Sequence, residues 1–257
     1  MAVLEDLFQA KFEETEFMKL YMITPRQCML RDIVEDLKVV MPKHTHECID
    51  EYAFWHKDDP VTAVLHIWTQ YTAVTKLINL ALMLDGYETF GMSNYDSPDK
   101  EKIEEMLKEI SPHDYKTILQ YTIKFIRMIN YCIVKLCTKE NTENRVTYRG
   151  VPAHLFPNVK VGQSFRVMNF QCTSSETTTP EAFRGSGEEQ TMITFQIPKG
   201  CFNAGKISKY ACDDYKWQNE TLIPPYTACK LTKKEGNHLY VEVAKDNKSS
   251  KFTYFSY

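Results

Sequence analysis

The most informative stretch of this 257-residue sequence is QNETLIPPY, residues 218–226, which joins polar side chains to an apolar strand. Residues two apart in an extended chain point to the same side. Gln218 and Glu220 are therefore expected to face one cleft, while Asn219 points away. Proline cannot donate a hydrogen bond to a β-ladder, so the Pro224-Pro225 pair predicts an edge strand or a bulge.

Two earlier segments also read as strands that end in polar residues. The first is VTYRG, residues 146–150. There Arg149 could clamp a phosphate through two parallel hydrogen bonds, and Gly150 would let a ligand approach the backbone. The second is FQCTSS, residues 170–175, a strand that runs into small hydroxyl and thiol side chains. Each segment alone is common in β proteins, so their order along the chain carries the information.

Glycine and serine divide the chain near residue 145. Two of the nine glycines, Gly86 and Gly91, precede that position, and so do only three serines, whereas eight serines follow it. Turn-forming residues are typical of β-structure, and the first part shows helical periodicity instead. We therefore predict an α+β protein with a helical region over 1–144 and a β region over 145–257.

Apolar spacing and capping signals place the individual elements. We expect Asp59-Pro60 to begin a helix that ends at Asp85-Gly86, Ser97-Pro98 to begin a shorter one and Ser111-Pro112 to begin a long one. Two further helices are expected at about 3–20 and 26–40. The strands are expected at 145–148, 162–170, 192–195, 239–243 and 252–255.

Composition excludes several classes of function. The 31 basic and 34 acidic residues give a net charge of −3, which supplies no polybasic surface for duplex nucleic acid or anionic membrane. The longest uncharged run, residues 60–75, is too short and too polar to span a bilayer. A chain of this size needs no disulfides, so we expect its eight cysteines to be reduced. The His44-Thr45-His46-Glu47-Cys48 cluster lacks a second ligand pair at zinc-site spacing, and no metal is predicted.

The three segments, taken in order, resemble the Arg-Ser-Glu group of mono-ADP-ribosyltransferases. That family carries an arginine on a first strand, a Ser-Thr-Ser turn on a second and a Glu/Gln-x-Glu loop on a third. The Tyr-Arg-Gly and Glu-x-Leu-Ile-Pro-Pro elements resemble the vertebrate ecto-enzymes in particular, and the resemblance covers about residues 60–257. It implies a split β-sandwich that binds NAD, as co-substrate, in a central cleft.

The resemblance also implies roles for individual residues. Arg149 would hold the NAD phosphates, and Gly150 would offer backbone hydrogen bonds to the nicotinamide amide. Glu220 would bond the 2′-hydroxyl of the nicotinamide ribose and stabilise the oxocarbenium ion, since a nearby carboxylate favours that positive charge. Phe183 would stack on the nicotinamide, and Arg184 would meet the phosphates.

Two residues depart from the family pattern. Cys172 stands where the first serine belongs, and because a thiol is larger and donates more weakly, Glu220 is expected to be held less firmly. Ser174 or Ser175 could partly replace that serine. Gln218 stands where arginine-specific members carry glutamate. A neutral amide cannot accept a guanidinium proton but suits an amide or a nucleobase edge, so we predict an acceptor other than arginine.

These features predict an enzyme that transfers ADP-ribose from NAD to a protein side chain of the asparagine or glutamine type, or to guanine. Tyr215 and Trp217, which precede the catalytic loop, are expected to contact that acceptor. The alternatives are an NAD glycohydrolase, a catalytically weakened NAD-binding interaction protein, and a thiol enzyme using Cys172 with His154 or His238 as base. We expect a monomer without a membrane span, cytoplasmic if the chain is native and full length, or secreted or surface-exposed if a signal was removed.

Overall fold

The computed structural model describes residues 29–70, 72–90, 100–152, 159–176, 190–211 and 213–245. In these residues the α-helices are α1 (Leu30–Val40), α2 (His46–Trp55), α3 (Pro60–Gln70), α4 (Thr72–Phe90), α5 (Lys100–Ile110) and α6 (Tyr115–Tyr131). The strands are β1 (Arg145–Pro152), β2 (Ser164–Arg166), β3 (Gln171–Ser174), β4 (Gln190–Ile197), β5 (Gly205–Lys206), β6 (Glu220–Ile223), β7 (Ala228–Glu235) and β8 (His238–Val243). The protein is α+β, with helices before strands.

Helix α6 begins three residues later than its sequence suggested. Asp114 is the N-cap, and its carboxylate accepts a hydrogen bond from the Thr117 amide at 2.9 Å. The buried Ser111 hydroxyl instead donates to the Val40 carbonyl of α1 at 3.0 Å. The predicted start at Ser111-Pro112 is therefore wrong. Asp114 caps the helix instead, while the Ser111 hydroxyl also accepts from the His113 amide at 3.3 Å, before the helix begins.

The predicted helix over 59–85 is two helices in the structure. Asp59 does begin the first, since its carboxylate accepts from the amide and hydroxyl of Thr62 at 3.2 and 2.6 Å. The predicted end at Gly86 is wrong, because α4 continues to Phe90. A Cβ at Gly86 would lie 2.5 Å from the sulfur of Met168. Glycine at this position therefore serves a close approach between the helix and the β region.

Several other predicted elements compare as follows. Helix α1 confirms the later part of the helix expected at 26–40, and only Ser164–Arg166 of the strand expected at 162–170 is formed. Strands β1 and β4 extend beyond their predicted ends. The helix at 3–20, the strand at 252–255 and the Ser97-Pro98 helix start lie outside the described residues.

The strands form one sheet in the order β2-β7-β8-β4-β1-β3-β6-β5. Strands β4 and β8 run parallel, and the other neighbours are antiparallel. Strand β1 pairs with β4 over its whole length but meets β3 only where Tyr148 lies opposite Ser174. We call this single-pair junction the seam. It divides the sheet into a five-stranded half and a half made of β3, β6 and β5.

Strand β6 lies between two apolar cores. Leu222 packs in the helical core, and the next residue, Ile223, packs in the core of the β region. Consecutive strand residues point to opposite faces, so the helices cover one face of this half-sheet. The prediction of an edge strand or bulge is wrong, since β6 is paired on both sides. Pro224-Pro225 follows the end of the strand, where no ladder bond is required.

Tyr226 connects the β region to the helices. Its side chain is fully buried, and its hydroxyl donates to the Asp85 carboxylate and lies 3.4 Å from the Leu82 carbonyl of α4. Its own carbonyl accepts from Arg166 Nη1 at 2.7 Å. Burial, together with the Asp85 carboxylate, raises the pKa of Tyr226 well above its usual value. Residues directly after β6 are thus fixed to α4.

No helix among the described residues is long and apolar enough to cross a membrane. The described part of the chain also contains no group of three His, Cys, Asp or Glu side chains that could hold a metal ion. Within the same residues, five cysteines are not joined by disulfides, namely Cys48, Cys132, Cys172, Cys201 and Cys229.

The packing of Met168 on Gly86 leads to a test of stability. We expect Gly86→Ala to lower the free energy of unfolding by about 1–2 kcal/mol, because the methyl group overpacks the contact. Alanine's better helix propensity, worth at most ~1 kcal/mol, offsets only part of this loss. Urea denaturation of the wild type and the variant measures the difference.

The matched control repeats Gly86→Ala in a Met168→Ala background. There the methyl group enters vacated space, so the substitution is expected to be neutral or stabilising. An equal loss of stability in both backgrounds would contradict the assignment of Gly86 to close packing.

Candidate active site

The register between β3 and β6 brings the candidate residues to one face. Ser174 lies opposite Glu220, and Cys172 lies opposite Leu222. Paired residues of antiparallel strands share a face, as do residues two apart on one strand. Cys172, Ser174 and Glu220 therefore all lie on the face of the half-sheet that the helices cover. The seam and the start of β6 thus meet at one site.

Glu220 is the buried acid of this site, with only 9% of its surface exposed. The Cys172 thiol is hydrogen-bonded to its carboxyl group, and the positive charge of Arg149 lies close enough to act on it. Burial raises the pKa of Glu220, and the Cys172 hydrogen bond and Arg149 oppose that rise without cancelling it. The site therefore contains a carboxyl group whose ionised form is stabilised by two neighbours.

Arg149 approaches from β1, on the other side of the seam. Its side chain is half-buried, and Nη1 donates to the Phe170 carbonyl at 3.1 Å. Burial lowers the pKa of the guanidinium, and the negative charge of the Glu220 carboxylate opposes that effect. A cation and a carboxylate from the two halves of the sheet thus converge at the seam.

Cys172 lies between two hydrogen-bonding partners, the Glu220 carboxyl group and the Trp68 side chain of α3. Burial and the nearby Glu220 charge raise the pKa of the thiol well above its usual value. The protonated thiol is a hydrogen-bond donor and a poor nucleophile. His238, one proposed base for a thiol enzyme, instead bonds the Thr194 hydroxyl at 2.7 Å and stacks on Tyr240. His154, the other, lies outside the described residues.

Ser174 fixes the loop that precedes Glu220. Its hydroxyl donates to the Gln218 carbonyl at 2.6 Å and accepts from the Glu176 amide at 3.0 Å. Both hydrogen bonds join the Ser174 hydroxyl to backbone groups. The thiol of Cys172, rather than Ser174, therefore makes the hydrogen bond to the Glu220 side chain.

The geometry of the Gln-x-Glu loop differs from its prediction. Gln218 ends a 3₁₀-helix, Asp213–Gln218, and Asn219 has a φ of +47°, so the stretch is not extended. Asparagine tolerates this left-handed conformation better than most residues. The side-chain amide of Asn219 also donates to the Glu176 carboxylate at 3.4 Å. A turn, rather than strand alternation, determines where Gln218 and Glu220 point.

The remaining candidates lie at different places. Gly150 is half-buried on β1 opposite Met192. Trp217 is 59% exposed on the same 3₁₀-helix that contains Tyr215. Phe183 and Arg184 lie outside the described residues, so their proposed contacts with NAD stay predictions.

Two residues at the site come from the helices and are not among the residues predicted from the sequence. Trp68 of α3 is 2% exposed and lies beside Cys172. Asn79 of α4 accepts a hydrogen bond from the Phe170 amide at 3.1 Å. A polar residue inside an apolar helical run could have drawn attention to Asn79, whereas nothing in the sequence distinguishes Trp68 from other core residues.

Comparisons with known proteins define the class of this enzyme. The family model for NAD:arginine ADP-ribosyltransferase matches residues 93–251. The chain belongs to this family, which uses NAD as substrate, and the protein is an NAD-dependent ADP-ribosyltransferase. No curated protein sequence matches the chain.

Three similar solved structures are distant in sequence. The eukaryotic mono-ADP-ribosyltransferase ART2.2 is 13% identical, with a TM-score of 0.48 over 86% of this chain and 87% of that one. The C3 exoenzyme of Clostridium limosum is 17% identical, with a TM-score of 0.46 over 76% and 94%. The Vis toxin of Vibrio splendidus is 14% identical, with a TM-score of 0.41 over 78% and 84%. Membership of the family rests on the family-model match.

The hydrogen bond between Cys172 and Glu220 can be tested by titrating Glu220. We expect Cys172→Ser to lower the pKa of Glu220, because a hydroxyl donates more strongly to the ionised carboxylate. Cys172→Ala removes the donor and is expected to raise that pKa. Titration of the glutamate carboxyl carbons by NMR, with Glu220→Gln to assign the signal, measures both shifts.

The same effect has a consequence for stability. A carboxyl group whose pKa is higher in the folded than in the unfolded state binds more protons when folded, so unfolding becomes easier as pH rises through that pKa. We expect this loss of stability to be larger for Cys172→Ala than for the wild type. Identical Glu220 midpoints in all three proteins would show that the thiol does not act on the carboxylate.

Proposed function

We propose that this enzyme cleaves NAD at the nicotinamide–ribose bond and transfers ADP-ribose to an acceptor other than arginine. The acceptor is an asparagine- or glutamine-type side chain, or guanine. The observation that carries the proposal is the convergence of Arg149, Cys172 and Glu220 at the seam. A half-buried cation beside a buried carboxylate suits a substrate that has a diphosphate and develops positive charge on a ribose.

The proposed chemistry assigns one task to each group. Arg149 binds the diphosphate of NAD through charge-assisted hydrogen bonds. The bond between C1′ of the ribose and the nicotinamide nitrogen breaks, and its electron pair leaves with nicotinamide. The ionised Glu220 carboxylate then stabilises the oxocarbenium ion more strongly than the neutral ground state, which lowers the barrier. The acceptor attacks C1′ and releases its proton to water.

The burial of Glu220 favours this role in one respect and opposes it in another. A buried carboxylate acts in a medium of low dielectric, where its effect on the ribose cation is larger than in water. The same burial favours the protonated form, which cannot stabilise that cation. The Cys172 hydrogen bond and the Arg149 charge offset part of this cost.

Gln218 supports the proposed acceptor. Its side chain is half-buried and neutral, and its backbone carbonyl, two residues before Glu220, accepts a hydrogen bond from the Ser174 hydroxyl. An amide offers one acceptor and two donor positions, which match another amide or the edge of guanine. The exposed Trp217 precedes it directly and would contact the acceptor through its large apolar surface.

The first experiment tests the transferase reaction. Wild-type enzyme and Glu220→Gln are incubated with labelled NAD and a lysate that contains protein and nucleic acid. We expect labelled acceptor from the wild type and at least about a 100-fold slower transfer from the variant, since the charge on the ribose loses its partner. Mass spectrometry identifies the modified atom.

A matched control for this experiment is Glu242→Gln, which removes an exposed carboxylate from β8. It is expected to transfer ADP-ribose as the wild type does. Release of free ADP-ribose without labelled acceptor would favour an NAD glycohydrolase. Binding of NAD without turnover would favour a catalytically silent interaction protein, and either result would contradict the proposed transfer.

A second experiment tests acceptor specificity. Agmatine carries the guanidinium group of arginine on a small molecule, and a structure of the Vis enzyme in complex with it is known. We expect the wild type not to modify agmatine. Gln218→Glu is expected to gain agmatine modification by at least about tenfold, because a carboxylate pairs with the guanidinium and accepts its proton. Wild-type transfer to agmatine would show that arginine is the acceptor.

A further inference from the structure

We propose that the helical region positions the two central groups of the site through separate contacts with residues 170–172. Trp68 positions Glu220 through the thiol of Cys172, and Asn79 positions Arg149 through Phe170. This inference rests on the proposed function, which assigns Glu220 to the ribose cation and Arg149 to the diphosphate. It adds two residues outside the β region that the reaction would depend on.

The first contact runs from α3 to the acid. The Trp68 side chain is 2% exposed and is hydrogen-bonded to Cys172, whose thiol is also bonded to Glu220. An indole N–H can only donate, so the sulfur accepts from Trp68 and its single proton is left for the carboxylate. The Trp68 ring also packs on the Phe170 ring, with centroids 4.9 Å apart at 64°. Trp68 thereby orients a thiol that could otherwise rotate.

The second contact runs from α4 to the cation. Asn79 Oδ1 accepts from the Phe170 amide at 3.1 Å, and the Phe170 carbonyl accepts from Arg149 Nη1 at the same distance. Phe170 is fully buried and lies directly before β3, outside the β-ladder. Its backbone groups therefore have no strand partner, and Asn79 supplies one of the fixed points that hold the carbonyl facing Arg149.

The two contacts predict different kinetic effects for two conservative substitutions. Trp68→Phe keeps an aromatic ring against Phe170 and removes the N–H. We expect it to lower kcat for NAD cleavage by about fivefold, equivalent to one hydrogen bond, and to leave the KM for NAD nearly unchanged. The acidic limb of the kcat–pH profile is expected to move to higher pH, because Glu220 loses part of the bond that favours its ionised form.

Asn79→Leu is expected to show the opposite pattern. It keeps the size of the side chain and removes the acceptor, so the Phe170 carbonyl is held less firmly and Arg149 with it. We expect the KM for NAD to rise by about fivefold with a smaller change in kcat. Asn79→Asp retains an acceptor oxygen and is expected to restore the wild-type KM.

Two controls separate positioning from general destabilisation. Trp55→Phe changes a tryptophan of α2 that is 62% exposed, and it is expected to leave kcat and the pH profile unchanged. Trp68→Phe in a Cys172→Ala background is expected to have no further effect on kcat, since the thiol through which it acts is gone. An equal loss with and without the thiol, or parallel changes in kcat and KM for both helical variants, would overturn the proposal.

A spectroscopic measurement tests the first contact without any turnover. The chain has three tryptophans, so the indole N–H signal of Trp68 can be assigned in an NMR spectrum by its loss in Trp68→Phe. We expect that signal to shift in Cys172→Ala and in Glu220→Gln, and to titrate with Glu220. An enzyme that cleaves no NAD but shows these shifts would refute the proposed function alone. If the chemical shift of the indole N–H changed in neither variant, the positioning role of Trp68 would be refuted.

Discussion

The pairing of β3 with β6 is the constraint on which the rest of the site depends. Because Ser174 lies opposite Glu220, Cys172 is brought diagonally next to the same carboxylate, on the face that the helices cover. A shift of one residue would turn Cys172 and Glu220 to opposite faces. The alternation of Leu222 and Ile223 between two cores opposes such a shift, since it would expose each residue to the wrong core.

The sequence predicted the order of elements and the three segments of the site, because both are local signals. Glycine and serine mark the change from helix to strand, and each site segment combines an apolar strand with polar residues at its end. Contacts between distant residues could not be read in this way. Gly86 has the pattern of a helix end, but in the structure it lets Met168 pack closely on α4. Ser111 has the pattern of a cap, but its hydroxyl donates to Val40 of α1 and the helix is capped by Asp114. The turn at Asn219 likewise depends on a left-handed residue that the pattern reads as extended.

The helical region is part of the site as well as its support. Residues of α3 and α4 contact the segment before and within β3, and Tyr226 ties the end of β6 to α4. The helices and the β region therefore both hold residues around Glu220, a buried carboxyl group whose ionised form is costly to bury. That cost lowers the free energy of unfolding of the protein without substrate, and such a loss of stability in exchange for activity is common in enzymes. The division of the chain at residue 144 therefore separates types of secondary structure more clearly than it separates roles.

The seam affects how tightly small molecules can bind this enzyme. With one residue pair between Tyr148 and Ser174, the main chain contributes little to holding the two halves of the sheet together. A compound that contacts Arg149 alone gains nothing from the other half, and neither does one that contacts Glu220 alone. One molecule that reaches both makes its second contact at a high effective concentration, because the first has already brought it there. Linked inhibitors spanning the seam should therefore gain far more affinity than their separate fragments suggest.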